Sequence, residues 1–151
     1  MVKLVNIRRY FLLLLFIVAP LTDLAAEGKE AAARQAALEW LAFVDTMQYE
    51  VSWKEAASLF KEQVSMADWV KAVMAARSPL GNLVARHPVS ATYATSLPGA
   101  PDGEYVVLQF QASFENKAQA VETVTPMLDE GKWRVSGYYI QSALEHTTGL
   151  S

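Results

Sequence analysis

The chain has 151 residues, of which 52% are hydrophobic, so it is long enough for one domain with a substantial core. Its formal net charge of −3, without any cluster of Lys and Arg, argues against nucleic acid or an anionic membrane surface as the main partner. The absence of cysteine excludes disulfides, a thiol nucleophile, a thiolate metal site and the lipid anchor of a lipoprotein.

The N-terminal segment has the order of a secretory signal peptide. Basic residues within the first nine positions precede an apolar run over 10–19, and small residues follow at Ala25 and Ala26. The apolar run is about ten residues long, whereas a helix needs roughly 20 residues to span a bilayer. We therefore predict cleavage near Ala26, a periplasmic or secreted location, and membrane contact only transiently through the signal peptide (1–26). An uncleaved membrane anchor is the alternative.

The predicted mature chain is a single domain over 27–151 with its core at about 29–141. It keeps 10 basic and 15 acidic residues, a net charge of −5. Residues 29–48 are rich in alanine and carry apolar side chains at helical spacing, which predicts a first helix. A capping box at Ser52 predicts the start of a second helix, and a weaker version at Ser65 predicts a third, which Pro79 ends.

Four segments rich in Val, Thr and aromatic residues follow the helices and predict strands. They lie at 83–96, 103–114, 117–128 and 132–141. Runs of helices followed by runs of strands indicate an α+β fold, in which three N-terminal helices pack on one face of a four-stranded antiparallel meander. The long turn at 97–103 leaves the register of the first strand open.

The two short turns fix the predicted register of the last three strands. They place Phe114 opposite Lys117 and Leu128 opposite Lys132, and the two-residue period then assigns every side chain to a face. The predicted core face collects Val106, Leu108, Phe110, Ala112, Val121, Thr123, Thr125, Met127, Trp133, Val135 and Tyr139.

Six segments, in order, resemble a bacterial family of domains of unknown function, number 4019. They are ALEWLAFVD, VSWKEAASLFKEQVSMADWVKAV, ARSPLG, ATSLPGAPDGEYVVLQF, NKAQAVETVTPM and GKWRVSGYYI, and they cover about 36–140. LPGAPDGEYVV and ETVTPM are the most specific of them. The resemblance implies an exported single-domain protein and brings no catalytic residues. By analogy, the fold it suggests is a cystatin-like or nuclear transport factor 2-like cone.

Catalytic signals are sparse in this sequence. It has no nucleophile elbow, no phosphate-binding glycine loop and no pair of histidines at metal spacing, since His87 and His146 are far apart. We therefore predict no catalytic residue, no metal ligand and no cofactor. The four tryptophans occur at helical and strand spacing, which is typical of core residues.

Hydroxyl groups on the predicted core face indicate a small ligand pocket. A hydroxyl there needs a hydrogen-bond partner or a water-lined cavity. We predict that a mostly apolar pocket is lined by Trp53, Arg77, Thr123, Thr125 and Tyr139, which would make the protein a non-catalytic binding module for an unidentified small molecule or protein. The alternative is that the threonines bond within the sheet and that Arg77 caps its helix.

Two further functions remain open at this point. An acid-base enzyme acting on a small carbonyl compound would need a carboxylate or imidazole in the pocket, which only Asp45, Glu50 or His87 could supply from its rim. An interaction module, either a homodimer or a complex with another protein, would use the open sheet face. The predicted register places four residues of that interface there: Gln109, Glu122, Tyr138 and Ile140. An ordinary solvated face is the alternative to that interface.

Overall fold

The computed structural model describes residues 21–142. Its elements are α1 (Leu21–Asp45), α2 (Tyr49–Glu55), α3 (Ser58–Gln63), α4 (Met66–Arg77), a 3-10 turn (Ser78–Leu80), β1 (Leu83–Ala94), β2 (Tyr105–Phe114), β3 (Lys117–Asp129) and β4 (Lys132–Ser142). The strands form one antiparallel sheet in the order β1-β2-β3-β4, and this confirms the predicted α+β class. No described helix is long and apolar enough to cross a membrane. Most of the predicted signal peptide, and His146, lie outside the described residues.

The helices differ from the prediction at their ends and in number. Helix α1 begins at Leu21 rather than near residue 29, and the predicted second helix is divided into α2 and α3. The division occurs because Ala56 and Ala57 take extended backbone angles. The Ala57 amide donates to the Val135 carbonyl (2.8 Å), so the break ties the helices to β4.

The two predicted capping boxes have different outcomes. Ser65 is the N-cap of α4, since its hydroxyl accepts from the Asp68 amide (3.2 Å). Ser52 instead lies inside α2 and is fully buried. Its carbonyl accepts from Trp40 Nε1 (2.7 Å), and its hydroxyl accepts from Trp69 Nε1 (2.9 Å). The predicted cap is therefore wrong, because Ser52 is buried in the core, where it accepts hydrogen bonds from two indole rings.

The main core lies between the helices and one face of the sheet. Trp40 and Trp69 are buried there, with ring centroids 5.7 Å apart, and Tyr138 contacts both rings. Trp53 and Trp133 pack against the core as partly buried residues. The predicted core positions on β2, namely Val106, Leu108, Phe110 and Ala112, are all buried.

The predicted register between β2 and β3 is wrong beyond the turn. Phe114 pairs with Lys117 as expected, but a bulge between Ala112 and Phe114 shifts the pairing by one residue, so that Phe110 pairs with Glu122. A one-residue shift exchanges the two faces of a strand. The buried residues of β3 are therefore Ala120, Glu122, Val124 and Pro126, and not the predicted Val121, Thr123, Thr125 and Met127.

The predicted register between β3 and β4 is also wrong. The turn consists of Glu130 and Gly131, both with positive φ, as in a type I′ hairpin, so Leu128 pairs with Trp133 instead of Lys132. A second bulge between Thr125 and Pro126 then pairs Val124 with Tyr138. Tyr138 consequently faces the helices, and its neighbour Tyr139 lies on the open face, where it is 62% exposed.

Candidate functional site

A cluster of charged side chains is buried between the helices and the sheet; we call it the ionic cluster. It consists of Asp45, Arg77, Arg86, Glu122 and Tyr138. Asp45 and Arg77 are the last residues of α1 and α4, whereas the other three come from β1, β3 and β4. Glu122 is 0% exposed and Arg77 is 5% exposed, so the cluster lies in the interior.

Arg86 bridges the two carboxylates of the ionic cluster. Its Nη1 and Nη2 donate to Asp45 at 2.7 and 2.9 Å, and its Nε donates to Glu122 Oε2 at 2.6 Å. Its Nη2 also donates to Glu122 Oε1 at 3.1 Å. One planar guanidinium group thus binds both acids with two hydrogen bonds each.

Arg77 and Tyr138 complete the ionic cluster. Arg77 Nη2 donates to Asp45 Oδ1 at 2.8 Å, and the Tyr138 hydroxyl donates to Glu122 Oε1 at 2.8 Å. The guanidinium of Arg77 also lies 4.7 Å from the ring centroid of Phe114, in cation-π geometry. The formal charges of the two arginines and the two acids cancel, which burial requires.

The surroundings shift the pKa values of these groups in opposite directions. Burial raises the pKa of Asp45, but the hydrogen bonds from Arg86 and Arg77 outweigh it, and the net pKa lies below the ordinary value of 3.8. Burial, and then the charge of Glu122, raise the pKa of Tyr138 above its ordinary value of 10.0. Asp45 is therefore held ionised and Tyr138 is held protonated at neutral pH.

An apolar groove lies between the α1–α2 turn and α4, and it has a volume of about 470 Å³. It is lined by Met47, Gln48, Tyr49, Glu50, Val51, Val70 and Met74. Met47 and Met74 are 71% and 47% exposed. The apolar groove therefore exposes two large apolar side chains to solvent.

A polar pocket of about 180 Å³ adjoins the apolar groove, and Met47 and Tyr49 line both. Asp45, Arg77 and Asn82 also line the polar pocket, so the ionic cluster reaches the surface beside the groove. Arg77 Nε is buried and has no hydrogen-bond partner among the described residues. Apolar groove and polar pocket together form a candidate site with one apolar and one polar end.

The structure does not bring the five residues of the predicted ligand pocket together. Arg77 lines the polar pocket, and Trp53 packs beside the core with its Nε1 donating to the Val64 carbonyl (2.8 Å). Thr123, Thr125 and Tyr139 lie on the opposite side of the sheet, because of the two bulges.

The four residues of the predicted interface are also separated. Gln109 lies exposed on the open face, whereas Glu122 and Tyr138 belong to the ionic cluster. Ile140 packs on the helix side against a small group of buried residues that includes Phe114. Of the residues that could have supplied an acid or base, Asp45 enters the ionic cluster and Glu50 lines the apolar groove. His87 pairs with Gln111 on the open face.

Sequence reasoning missed Arg86 and, apart from Glu50, the groove residues. The position of Glu122 did carry a signal, because Ala120 and Val124 flank it at the two-residue period of a buried strand face. A carboxylate in such a row needs a buried cation, and Arg86 was a candidate within β1. Nothing comparable identifies the groove, since its residues come from a turn and two helices.

The remaining questions about the site are whether it could hold a metal ion and which known proteins the chain resembles. Within residues 21–142, no group of three or more His, Asp or Glu side chains could hold a metal ion. No curated protein matches the chain. A family model described as Protein of unknown function (DUF4019) matches residues 36–138, which include the ionic cluster and the whole apolar groove. The chain therefore belongs to the DUF4019 family.

Proposed function

We propose that the protein is an exported, non-catalytic binding module that holds a small, mostly apolar molecule in the apolar groove. The observation that carries this proposal is the groove itself. Its volume of about 470 Å³ lies in the range of small-molecule sites, and its lining is largely apolar. Met47 and Met74 supply flexible, polarisable side chains, which adapt to ligands of different shape.

The backbone of Met47 supports this proposal. Its φ of +59° lies in the left-handed region, at the end of α1, where glycine or asparagine is the stable choice. A long side chain at such a position costs on the order of 1 kcal/mol. Met47 recovers little of that cost by burial, because most of its side chain is exposed. A ligand that covers Met47 would explain why the strain is retained.

The polar pocket indicates which head group the ligand carries. The buried Nε–H of Arg77 is a donor that has no acceptor within the described chain, and Arg77 lines the polar pocket, so an acceptor oxygen on the ligand would complement it. The formal charges of the ionic cluster already cancel, and an added carboxylate would lie near Asp45. A neutral acceptor, such as the carbonyl of an ester or amide, is therefore favoured over an anion.

The electrostatics favour binding over acid-base chemistry. Both oxygens of Asp45 accept hydrogen bonds from arginines, and those bonds lower its pKa despite burial. A general base works best when its pKa lies near the operating pH, and that of Asp45 is shifted the wrong way. The hypothesis of an enzyme acting on a small carbonyl compound loses its best candidate base for this reason.

Native mass spectrometry of the protein purified from the periplasmic fraction, or from the medium, tests the proposal as a whole. We expect a chain that begins near residue 27, and an additional small mass that disappears under denaturing conditions. A chain that keeps its first 26 residues would contradict the expected cleavage, and absence of the protein from both the periplasmic fraction and the medium would contradict the proposed export. The binding site is tested separately with a probe.

The probe is N-phenyl-1-naphthylamine, a neutral apolar dye whose fluorescence rises when it leaves water. We expect it to bind the protein, and we expect Met74→Glu to weaken binding at least about tenfold, because the charge would be desolvated in the apolar groove. Ala75→Glu is the matched control, since Ala75 is exposed on the same helix and does not line the groove. Equal losses in both variants, or no binding by the wild type, would overturn the proposed site.

A further inference from the structure

We propose that the open sheet face is the contact surface of a homodimer formed by two copies of this chain. By the open sheet face we mean three rows of side chains on the side of the sheet away from the helices. The rows are His87, Gln111, Val121 and Gln141; then Ser90, Gln109, Thr123 and Tyr139; then Thr92, Val107, Thr125 and Gly137.

The open sheet face carries no Lys, Arg, Asp or Glu at any of these twelve described positions. Charged residues do occur within the sheet, but Arg86 and Glu122 point to the helix side, and the others lie toward the strand ends, outside the three rows: Lys117, Asp129, Lys132 and Arg134. A solvated sheet face usually carries charged side chains, which keep it soluble and prevent association. Without them, the face can be covered at no cost in buried charge.

The chemistry of the open sheet face is self-complementary. Its polar groups are hydroxyls and amides, and each of these both donates and accepts hydrogen bonds. A two-fold axis brings the same patch of both copies together, so a surface of this kind can satisfy itself. Tyr139, at 62% exposure, adds a residue type that is enriched in interfaces. These properties select a second copy as the occupant rather than a charged partner.

The open sheet face is the centre of a sheet whose whole area approaches what a stable dimer needs. Four strands of 10 to 13 residues, with about 4.8 Å between neighbours and about 3.3 Å per residue, span on the order of 700 Å², and the three rows take up roughly half of it. A standard interface buries about 800 Å² per partner. The apolar groove lies on the other side of the sheet, so dimer formation leaves it open and is independent of ligand binding.

Analytical ultracentrifugation of the purified protein, from about 1 to 100 μM, tests the homodimer. We expect the wild type to be a dimer within this range. Gln109→Lys and Tyr139→Lys each introduce a positive charge in the middle row. In a two-fold dimer the same charge on the partner copy lies nearby, and the two repel each other, so we expect each variant to raise the dimer Kd at least about tenfold. Their melting temperatures should stay close to that of the wild type, because both side chains are exposed.

Two matched variants separate this surface from other modes of association. Ala75→Lys adds the same charge on α4 and should leave the dimer intact. Val84→Lys adds it at an exposed position of the edge strand β1 and should also leave the dimer intact. A wild type that is monomeric throughout the range would overturn the proposal. A dimer that Val84→Lys dissociates, and Gln109→Lys does not, would overturn it in favour of strand-edge pairing.

Discussion

Arg86 is the residue on which the buried charges of this protein depend. It makes four hydrogen bonds to two carboxylates, one from α1 and one from β3. Those bonds raise its pKa against the effect of burial, so it stays charged at any pH where the protein is folded. Without it, Asp45 and Glu122 would face each other with Arg77 as their nearest cation.

We expect Arg86→Met to destabilise the protein by about 3–5 kcal/mol, because it leaves a buried carboxylate without its partner. The free energy of unfolding in urea measures the effect. Arg134→Met is the control, since the Arg134–Glu55 pair is 3.8 Å long and at least partly exposed at both ends, and its loss should change stability by less than about 0.5 kcal/mol. Similar losses in the two variants would contradict the importance given to the ionic cluster.

Tyr138→Phe removes the hydrogen bond that the Tyr138 hydroxyl donates to Glu122, and it should cost about 1.5–3 kcal/mol near neutral pH. Because the folded protein raises the pKa of Tyr138, the stabilisation is complete below 10.0, the ordinary pKa of tyrosine, and is lost as the pH rises through the folded pKa. We therefore expect the difference in unfolding free energy between wild type and variant to narrow above about pH 10. A difference that stays constant to high pH would refute this account.

In the turn that ends α1, fold stability and ligand binding favour different residues at position 47. Met47→Gly removes the cost of a side chain in the left-handed region and should stabilise the fold by about 1 kcal/mol. The same change removes one wall of the apolar groove, so binding of N-phenyl-1-naphthylamine should weaken. Thermal unfolding and dye titration measure the two effects.

Glu130→Gly is the matched control for Met47→Gly. Glu130 also has a positive φ, of 49°, but it lies in the β3–β4 turn, outside the groove. It should stabilise the fold by a comparable amount and leave dye binding unchanged. Loss of dye binding in this variant would show that the effect at Met47 is not local.

The sequence predicted the positions of helices and strands better than it predicted the register in which the strands pair. The helical spacing and the strand composition located the four strands and the helical region, because these signals are local, but they did not show the break between α2 and α3. The two bulges, near Phe114 and near Pro126, were not visible, since a bulge depends on how neighbouring strands pack. Each bulge shifts the register by one residue, and that was enough to place Thr123 and Tyr139 on the wrong face.

At the scale of the whole molecule, the candidate site could be predicted only in part. Arg77 was identified because it lies two helical turns after Trp69, at the end of a predicted helix. Its partners Asp45 and Glu122 lie 32 and 45 positions away along the chain, and only the assembled fold brings them together. The apolar groove likewise exists only in the assembled fold, since the α1–α2 turn and α4 form it jointly.

The ionic cluster also affects how the protein unfolds. Its five side chains come from α1, α4, β1, β3 and β4, so each of these elements holds one member of a single charge-balanced set. If α1 detached while the rest stayed packed, Asp45 would leave two arginines behind with one carboxylate, at a cost of several kcal/mol. Loss of α4, β1 or β3 alone would unbalance the cluster in the same way, so we expect these elements to unfold together. A protease would then meet either the intact domain or the fully opened chain.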